Sequence, residues 1–145
     1  MVSYIADADN KQRVIRGLQD LADLISRTLG PGGRPILMEQ EGRPPLSTKD
    51  GVTVARNYQA SGSIERVVTD AAKEVCERTV RQVGDGTTTA IVLASALVEH
   101  GQKIDTLYSP QQLCRDLNSL YQDKVKPAIL YMAKPIRNLP MEEAK

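Results

Sequence analysis

The sequence predicts a mainly α, multihelical protein with one small β-hairpin. Three observations carry that reading. Apolar residues recur at helical spacing along three long stretches. A short apolar run before a Gly/Pro-rich turn is followed by a second short run, the pattern of a hairpin. Ser109-Pro110 is an N-cap followed by proline at the first helical position, which marks where a further helix begins.

Taken in order, Val2 to Ala6 reads as a short strand, and Asp7 or Asp9 is placed to cap the helix after it. Val14, Leu18, Leu21, Ile25 and Leu29 recur every three or four residues and form one apolar face. That helix ends at Thr28-Leu29-Gly30-Pro31, where glycine permits a positive φ and proline stops the helix. Pro35 to Met38 reads as a strand, Gly42-Arg43-Pro44-Pro45 as a turn, and Leu46 to Thr48 as the returning strand. A short helix follows Asp50, and Gln59 to Ser63 is a loop.

Ile64, Val67, Val68, Ala71, Val75, Thr79 and Val83 lie on one helical stripe. The opposite face carries Glu65, Arg66, Asp70, Lys73, Glu77 and Arg81, and reads as simply solvated. The helix from Thr87 to about Lys103 is apolar on nearly all sides and is predicted to be central. Leu113, Leu117, Leu120, Val125, Ile129 and Met132 extend the helix that starts at Pro110. Pro127 is predicted to kink or break it, because its ring clashes with the preceding turn. Met141 to Lys145 is a helix-like pattern with no terminator, which points to a chain that continues.

At 145 residues the chain fits one domain. Hydrophobic residues make up 41%, yet there are five Tyr and no Phe or Trp, so the core must be aliphatic. A net charge of +1 gives no electrostatic case for nucleic acid, and no basic stretch interleaves with aromatics. The longest apolar run, Ala90 to Val98, is too short to span a bilayer. No basic segment leads into an apolar one at the N-terminus, so a secretory signal is not expected and a cytoplasmic location is. Cys76 and Cys114 lie far apart, without the clustered Cys/His spacing of a metal site, and read as two buried thiols in a reducing compartment. His100, the single histidine, falls near a helix C-terminus, where a cation suits the dipole.

The chemistry concentrates in Gly84-Asp85-Gly86-Thr87-Thr88-Thr89-Ala90. Two glycines flank a carboxylate, and three hydroxyls open a helix. A helix start attracts anions, because its first N–H groups lack partners and its dipole end is positive. A carboxylate there repels a bare phosphate, so Asp85 fits better as the ligand of a Mg²⁺ ion carried by the phosphate. Two further loops share this character: Thr28 to Arg34, and Thr48-Lys49-Asp50-Gly51-Val52-Thr53. Singly, each is ordinary turn chemistry. No Gly-x-x-x-x-Gly-Lys-Ser/Thr is present, so a P-loop NTPase has little support.

Together, Thr-Leu-Gly-Pro-x-Gly-Arg at 28–34, Thr-Lys-Asp-Gly-Val-x-Val-Ala at 48–55 and Gly-Asp-Gly-Thr-Thr-Thr-Ala at 84–90 resemble the signatures of the group I chaperonins, in one register from about Tyr4 to Ile136. The chain departs from the family at Gly32, where Lys is usual, at Pro127, and along Glu39 to Pro45. The resemblance implies a chaperonin equatorial-domain-like fold over 1–145, the N-terminal half of the ATP-binding domain, with intermediate and apical domains absent. It implies ATP and Mg²⁺ as ligands, and allows a K⁺ ion held by backbone oxygens near Lys49. By the same resemblance Thr28, Leu29, Gly30 and Pro31 would wrap the nucleotide. Asp85, Gly86, Thr87, Thr88 and Thr89 would meet the metal and phosphates, Asp85 as the metal ligand. Lys49 would sit near the phosphates, and Asp50 would polarise the attacking water as the catalytic acid. The implied partners are other subunits of a ring, non-native client proteins and a co-chaperonin lid, with no nucleic acid and no membrane. The resemblance also leaves a second reading, an interaction module without ATPase activity, in which the Ile36 to Thr48 hairpin pairs with a neighbour's terminal strands.

Overall fold

A computed structural model describes residues 8–40, 42–104 and 108–133. The chain runs α1 (Ala8–Ser26), β1 (Ile36–Gln40), β2 (Arg43–Thr48), α2 (Gly51–Asn57), α3 (Ser63–Val83), α4 (Thr87–Ile104), α5 (Pro110–Leu120), a π-helical turn (Tyr121–Val125) and α6 (Lys126–Met132). The expected multihelical fold with one hairpin is what forms. The strand expected at Val2 to Ala6, a cap from Asp7 and the pattern at Met141 to Lys145 lie outside the described residues. Asp9 stands in the first turn of α1. The chain forms two compact units, residues 1–100 and 101–145.

In the first unit the core is built on α1. Leu18, Leu21, Ala22 and Ile25 are buried together with Val54 and Ala55 of α2, Ala72 and Cys76 of α3, and Ile91 of α4. Leu29, the last member of the expected α1 stripe, lies past the helix and is 47% exposed. Helices α1 and α3 approach closely at Gly17. A Cβ there would come within 3.0 Å of Glu65 Cα and of Val68 Cγ1. So tight a crossing leaves no room for a side chain at position 17 and sets Glu65 and Val68 of α3 against α1.

The inward face of α3 carries Ile64, Thr69, Ala72 and Cys76, with Val68 half-buried against the core, so the expected stripe turns inward only at Ile64 and Val68. Val67, Val75 and Val83 are exposed. Thr69, 1% exposed, satisfies its hydroxyl by donating to the Arg66 carbonyl at 3.0 Å. The charged face is likewise more than a solvated surface. Arg13 of α1 makes a two-point contact with Glu65, Nε to Oε1 at 2.8 Å and Nη2 to Oε2 at 2.9 Å. Arg56 of α2 pairs with Glu77. These two pairs fix both neighbouring helices to α3.

Two more expectations are corrected in α4 and Cys114. Only Thr87, Ile91 and Ser95 of α4 are buried, while Leu93, Leu97 and Val98 are exposed, so this helix is not central. Cys76 is buried as expected, but Cys114 is exposed.

The hairpin is longer than expected on its return side. Ile36 pairs with Thr48, Leu37 with Ser47, Met38 with Leu46 and Gln40 with Arg43, with an irregularity between Met38 and Gln40. Pro44 and Pro45 therefore belong to β2, not to the turn. Together they stand opposite the single residue Glu39, a bulge. Neither proline has an N–H to give the ladder, and a bulge in an edge strand tolerates that loss. Ile36, Met38 and Gln40 alternate inward, and Leu37 faces out at 72% exposure.

In the second unit, Ser109 caps α5, its hydroxyl accepting from Gln112 N–H at 3.2 Å. At Pro127 the α-helical ladder is interrupted, as expected, while helical structure continues into α6. The turn before it widens, and Lys126 N–H reaches back five residues to the Tyr121 carbonyl. The Asp123 carbonyl, the α-helical partner of residue 127, has no N–H to meet there, because proline lacks one.

The Glu65 carboxyl is held below the usual carboxylate range, first by its hydrogen bonds from Arg13. A depressed pKa contributes stability above the unfolded value and loses it as pH falls through the folded one. Glu65→Gln is therefore expected to lower the thermal midpoint at about pH 7, with the gap to the parent closing below about pH 4. Melting curves across a pH series check this; a constant gap would show that the ion pair contributes nothing.

Candidate nucleotide-binding site

Three loops meet over the α1 end of the core. The first leaves α1: Thr28 and Leu29 N–H donate to the Ile25 and Ser26 carbonyls at 2.9 and 3.0 Å. The Thr28 hydroxyl also donates to Ile25 O, at 2.7 Å. With its proton committed, that hydroxyl offers only lone pairs outward, which suits a cation or a donor and not a phosphate oxygen.

The second loop joins β2 to α2. Asp50 is the N-cap of α2, accepting from Val52 N–H at 3.3 Å and Thr53 N–H at 3.1 Å, and from the Thr53 hydroxyl. Its carboxyl lies below the usual range, chiefly through the Thr53 hydroxyl and then the two backbone N–H groups. Asp50 is thus an ionised acceptor held in one orientation. It accepts three hydrogen bonds of the roughly four a carboxylate can take, so one direction at Oδ1 stays open.

The third loop joins α3 to α4. Gly84 ends α3 in a left-handed conformation, φ 85°, and Gly86 begins α4 at φ 87°. Residues with a Cβ rarely adopt either, so the two glycines set the direction of Asp85 between them. The Asp85 Oδ1 accepts from Gly86 N–H at 2.6 Å and the residue is exposed. Gly86 has no side chain to cap α4, and no acid follows in the first turn, so the positive helix end opens onto the loop. Thr87 is buried, Thr88 half-buried and Thr89 exposed.

One cavity of about 370 Å³ joins all three loops, entirely within the first unit. It is lined by Thr28, Leu29 and Gly30, by Lys49, Asp50, Gly51 and Val52, and by Gly84, Asp85, Gly86, Thr87, Thr88 and Thr89. Every residue singled out from the sequence lines it except Pro31. The sequence reading missed Gly51, Val52 and Gly84. All three stand inside the quoted motifs, but small or apolar residues gave no chemical reason to select them.

The lining carries two carboxylates and one lysine, an unfavourable setting for a bare polyanion. It suits an anion accompanied by a divalent cation, since Mg²⁺ takes one or two carboxylates and completes its shell from phosphate and water. Among the described residues no group of three or more His, Cys, Asp or Glu is placed to hold a metal alone. No helix of the described residues is long and apolar enough to cross a membrane.

Residues 21–132 match the TCP-1/cpn60 chaperonin family. The chain belongs to that family. It is 45% identical over 95 residues to Chaperonin GroEL 2 of Cereibacter sphaeroides, a match covering 66% of this chain and 18% of that protein. The fold is similar to the chaperonin gp146 of bacteriophage EL 2 (Pseudomonas aeruginosa), crystallised in presence of ATP-BeFx. In one crystal form the TM-score is 0.67 at 29% identity, covering 79% of this chain and 20% of the phage chain. In a second form it is 0.67 at 28%, covering 80% and 20%. This chaperonin chain thus spans about a fifth of the length of the relatives it matches. The group I resemblance read from the three motifs and the equatorial-domain-like fold both hold.

Because Asp50 caps α2, Asp50→Ala is expected to cost about 1 kcal/mol, whereas Asp50→Ser keeps a capping oxygen and should cost much less. Urea midpoints of both variants check this, and equal losses would deny the cap its role.

Proposed function

We propose that this chaperonin chain binds the phosphates of Mg²⁺-ATP in the three-loop cavity and serves the ATP-driven folding cycle of a chaperonin subunit. The observation that carries the reading is the joining of all three loops in one cavity, with Asp85 at an uncapped helix start. In this reading Mg²⁺, when bound, neutralises phosphate charge and orients the phosphate chain. Asp85 supplies its carboxylate. The first-turn N–H groups of α4 and the Thr87, Thr88 and Thr89 hydroxyls donate to phosphate oxygens. Lys49 adds a positive charge beside them, and backbone oxygens nearby are suited to a K⁺ ion. Thr28, Leu29 and Gly30 form the wall toward the nucleoside, with Pro31 next to them in the loop.

Asp50 acts on the attacking water. The carboxylate is ionised, fixed by its capping bonds, and has an acceptor direction to spare, so it can hold a water's O–H and turn the oxygen lone pair toward phosphorus. Positioning and charge neutralisation carry most phosphoryl transfer. The partners proposed with this function are like subunits in a ring, non-native proteins as clients, and a co-chaperonin lid, in the cytoplasm. The β1–β2 hairpin, a two-stranded sheet among the described residues, also offers a strand edge to a neighbour.

Asp85→Ala is expected to abolish the Mg²⁺ dependence of ATP binding, measured by calorimetric titration with and without the metal. Affinity that stays metal-dependent in the variant would sink the assignment. Asp50→Ser, which keeps the cap, is expected to lower the rate of phosphate release far more than it weakens ATP binding, because a water-positioning acid acts mainly in the transition state. A parallel loss of both would place Asp50 in binding alone.

A further inference from the structure

Gly51 opens α2 and is buried at the point where α2, α4 and the core meet. Its backbone gives no reason for a glycine, since it is not among the residues with positive φ. In a helix, alanine is the better residue. The reason lies in what a side chain would meet. A Cβ at 51 would overlap the Thr88 hydroxyl and come within 3.2 Å of Ile25 Cγ2.

Those two neighbours differ in how they can respond. Ile25 is fully buried in the core cluster, and close packing leaves it nowhere to go. Thr88 is half-buried and can turn about χ1. Thr88 is the second residue of α4, with no preceding helical turn to crowd it, and its β-branched side chain moves between a few staggered χ1 wells. A methyl at 51, wedged against Ile25, would be accommodated by Thr88 hopping between those wells. The hydroxyl would leave its place beside Gly51, another residue of the cavity lining.

We propose that the empty space at Gly51 is what lets Thr88 aim its hydroxyl into the cavity, so that Gly51 is a positioning residue for the phosphate-binding face. This rests on the reading of that cavity as the Mg²⁺-ATP site. It joins α2, which carries Asp50 at its cap, to the start of α4 through one missing methyl group.

The test has two arms. The first needs no nucleotide: scalar couplings that report Thr88 χ1 are compared in the parent and in Gly51→Ala. A switch of the dominant rotamer is expected, and an unchanged rotamer overturns the proposal. The second is calorimetric titration of Mg²⁺-ATP into the parent, Gly51→Ala, Thr88→Ala and the double variant. Each single substitution is expected to weaken binding by about tenfold, the loss of one hydrogen bond to a charged oxygen. The double variant should bind no more weakly than Thr88→Ala alone, since the two changes remove the same contact. Losses that multiply overturn the proposal. If Gly51→Ala fails to fold, adding Thr88→Ala should restore the fold by removing the overlap, and failure to restore it overturns the proposal too. A parent protein that does not bind Mg²⁺-ATP would overturn the reading of the cavity, while the rotamer comparison would still decide the role of Gly51.

Discussion

Ile25 is the residue on which the arrangement turns. Its side chain is fully buried between helices, and its Cγ2 blocks the space behind Gly51. Its carbonyl takes both the N–H and the hydroxyl of Thr28. One aliphatic residue at the end of α1 thus closes the core on one side and, on the other, backs Gly51 and anchors Thr28, which line the cavity. The loops around the cavity are held there by helix ends that the core itself fixes. A core rearrangement at this end would be felt first in the relative placement of Thr28, Gly51 and Thr88.

The cavity's composition follows from a conflict between its two jobs. The uncapped end of α4 calls for negative charge, yet the loops bring Asp50 and Asp85 to the same space. Asp50 resolves its share locally, because the α2 N–H groups and the Thr53 hydroxyl already compensate its charge. Asp85, at an exposed loop tip, accepts from the adjacent Gly86 N–H alone among the described residues. The two acids are therefore inequivalent. The one with a satisfied carboxylate suits the handling of water, and the less satisfied one suits a cation.

Much of this was legible from residue order. The three glycine-containing loops announced themselves through residues whose chemistry differs from their surroundings, α2 follows Asp50, and α5 starts at its Ser109 cap. What escaped depended on partners distant in the chain. The inward face of α3 could not be chosen correctly without knowing that α1 brings Gly17 against Glu65 and Val68, a contact that turns Thr69, Ala72 and Cys76 into the core. The pairing of Arg13 with Glu65 spans 52 residues and leaves no trace in periodicity. For α4, uniform apolarity reads as centrality, yet Leu93 and Leu97 face outward. Prolines 44 and 45 read as a turn because a bulge that accommodates them is visible only once the strands are aligned.

The widened turn at Tyr121–Val125 has a consequence for phase. Counting from Leu113 in steps of four and three along an unbroken α-helix, the same side is reached at Leu117 and Leu120, then at Lys124, Ala128 and Tyr131. A π turn takes in one residue more than an α turn. Past it, the count moves on by one and lands on Val125, Ile129 and Met132. Pro127 therefore acts as a frame correction: a residue that cannot join the α-helical ladder inserts a single-residue stutter. Two apolar runs written in different reading frames along the sequence become one continuous stripe.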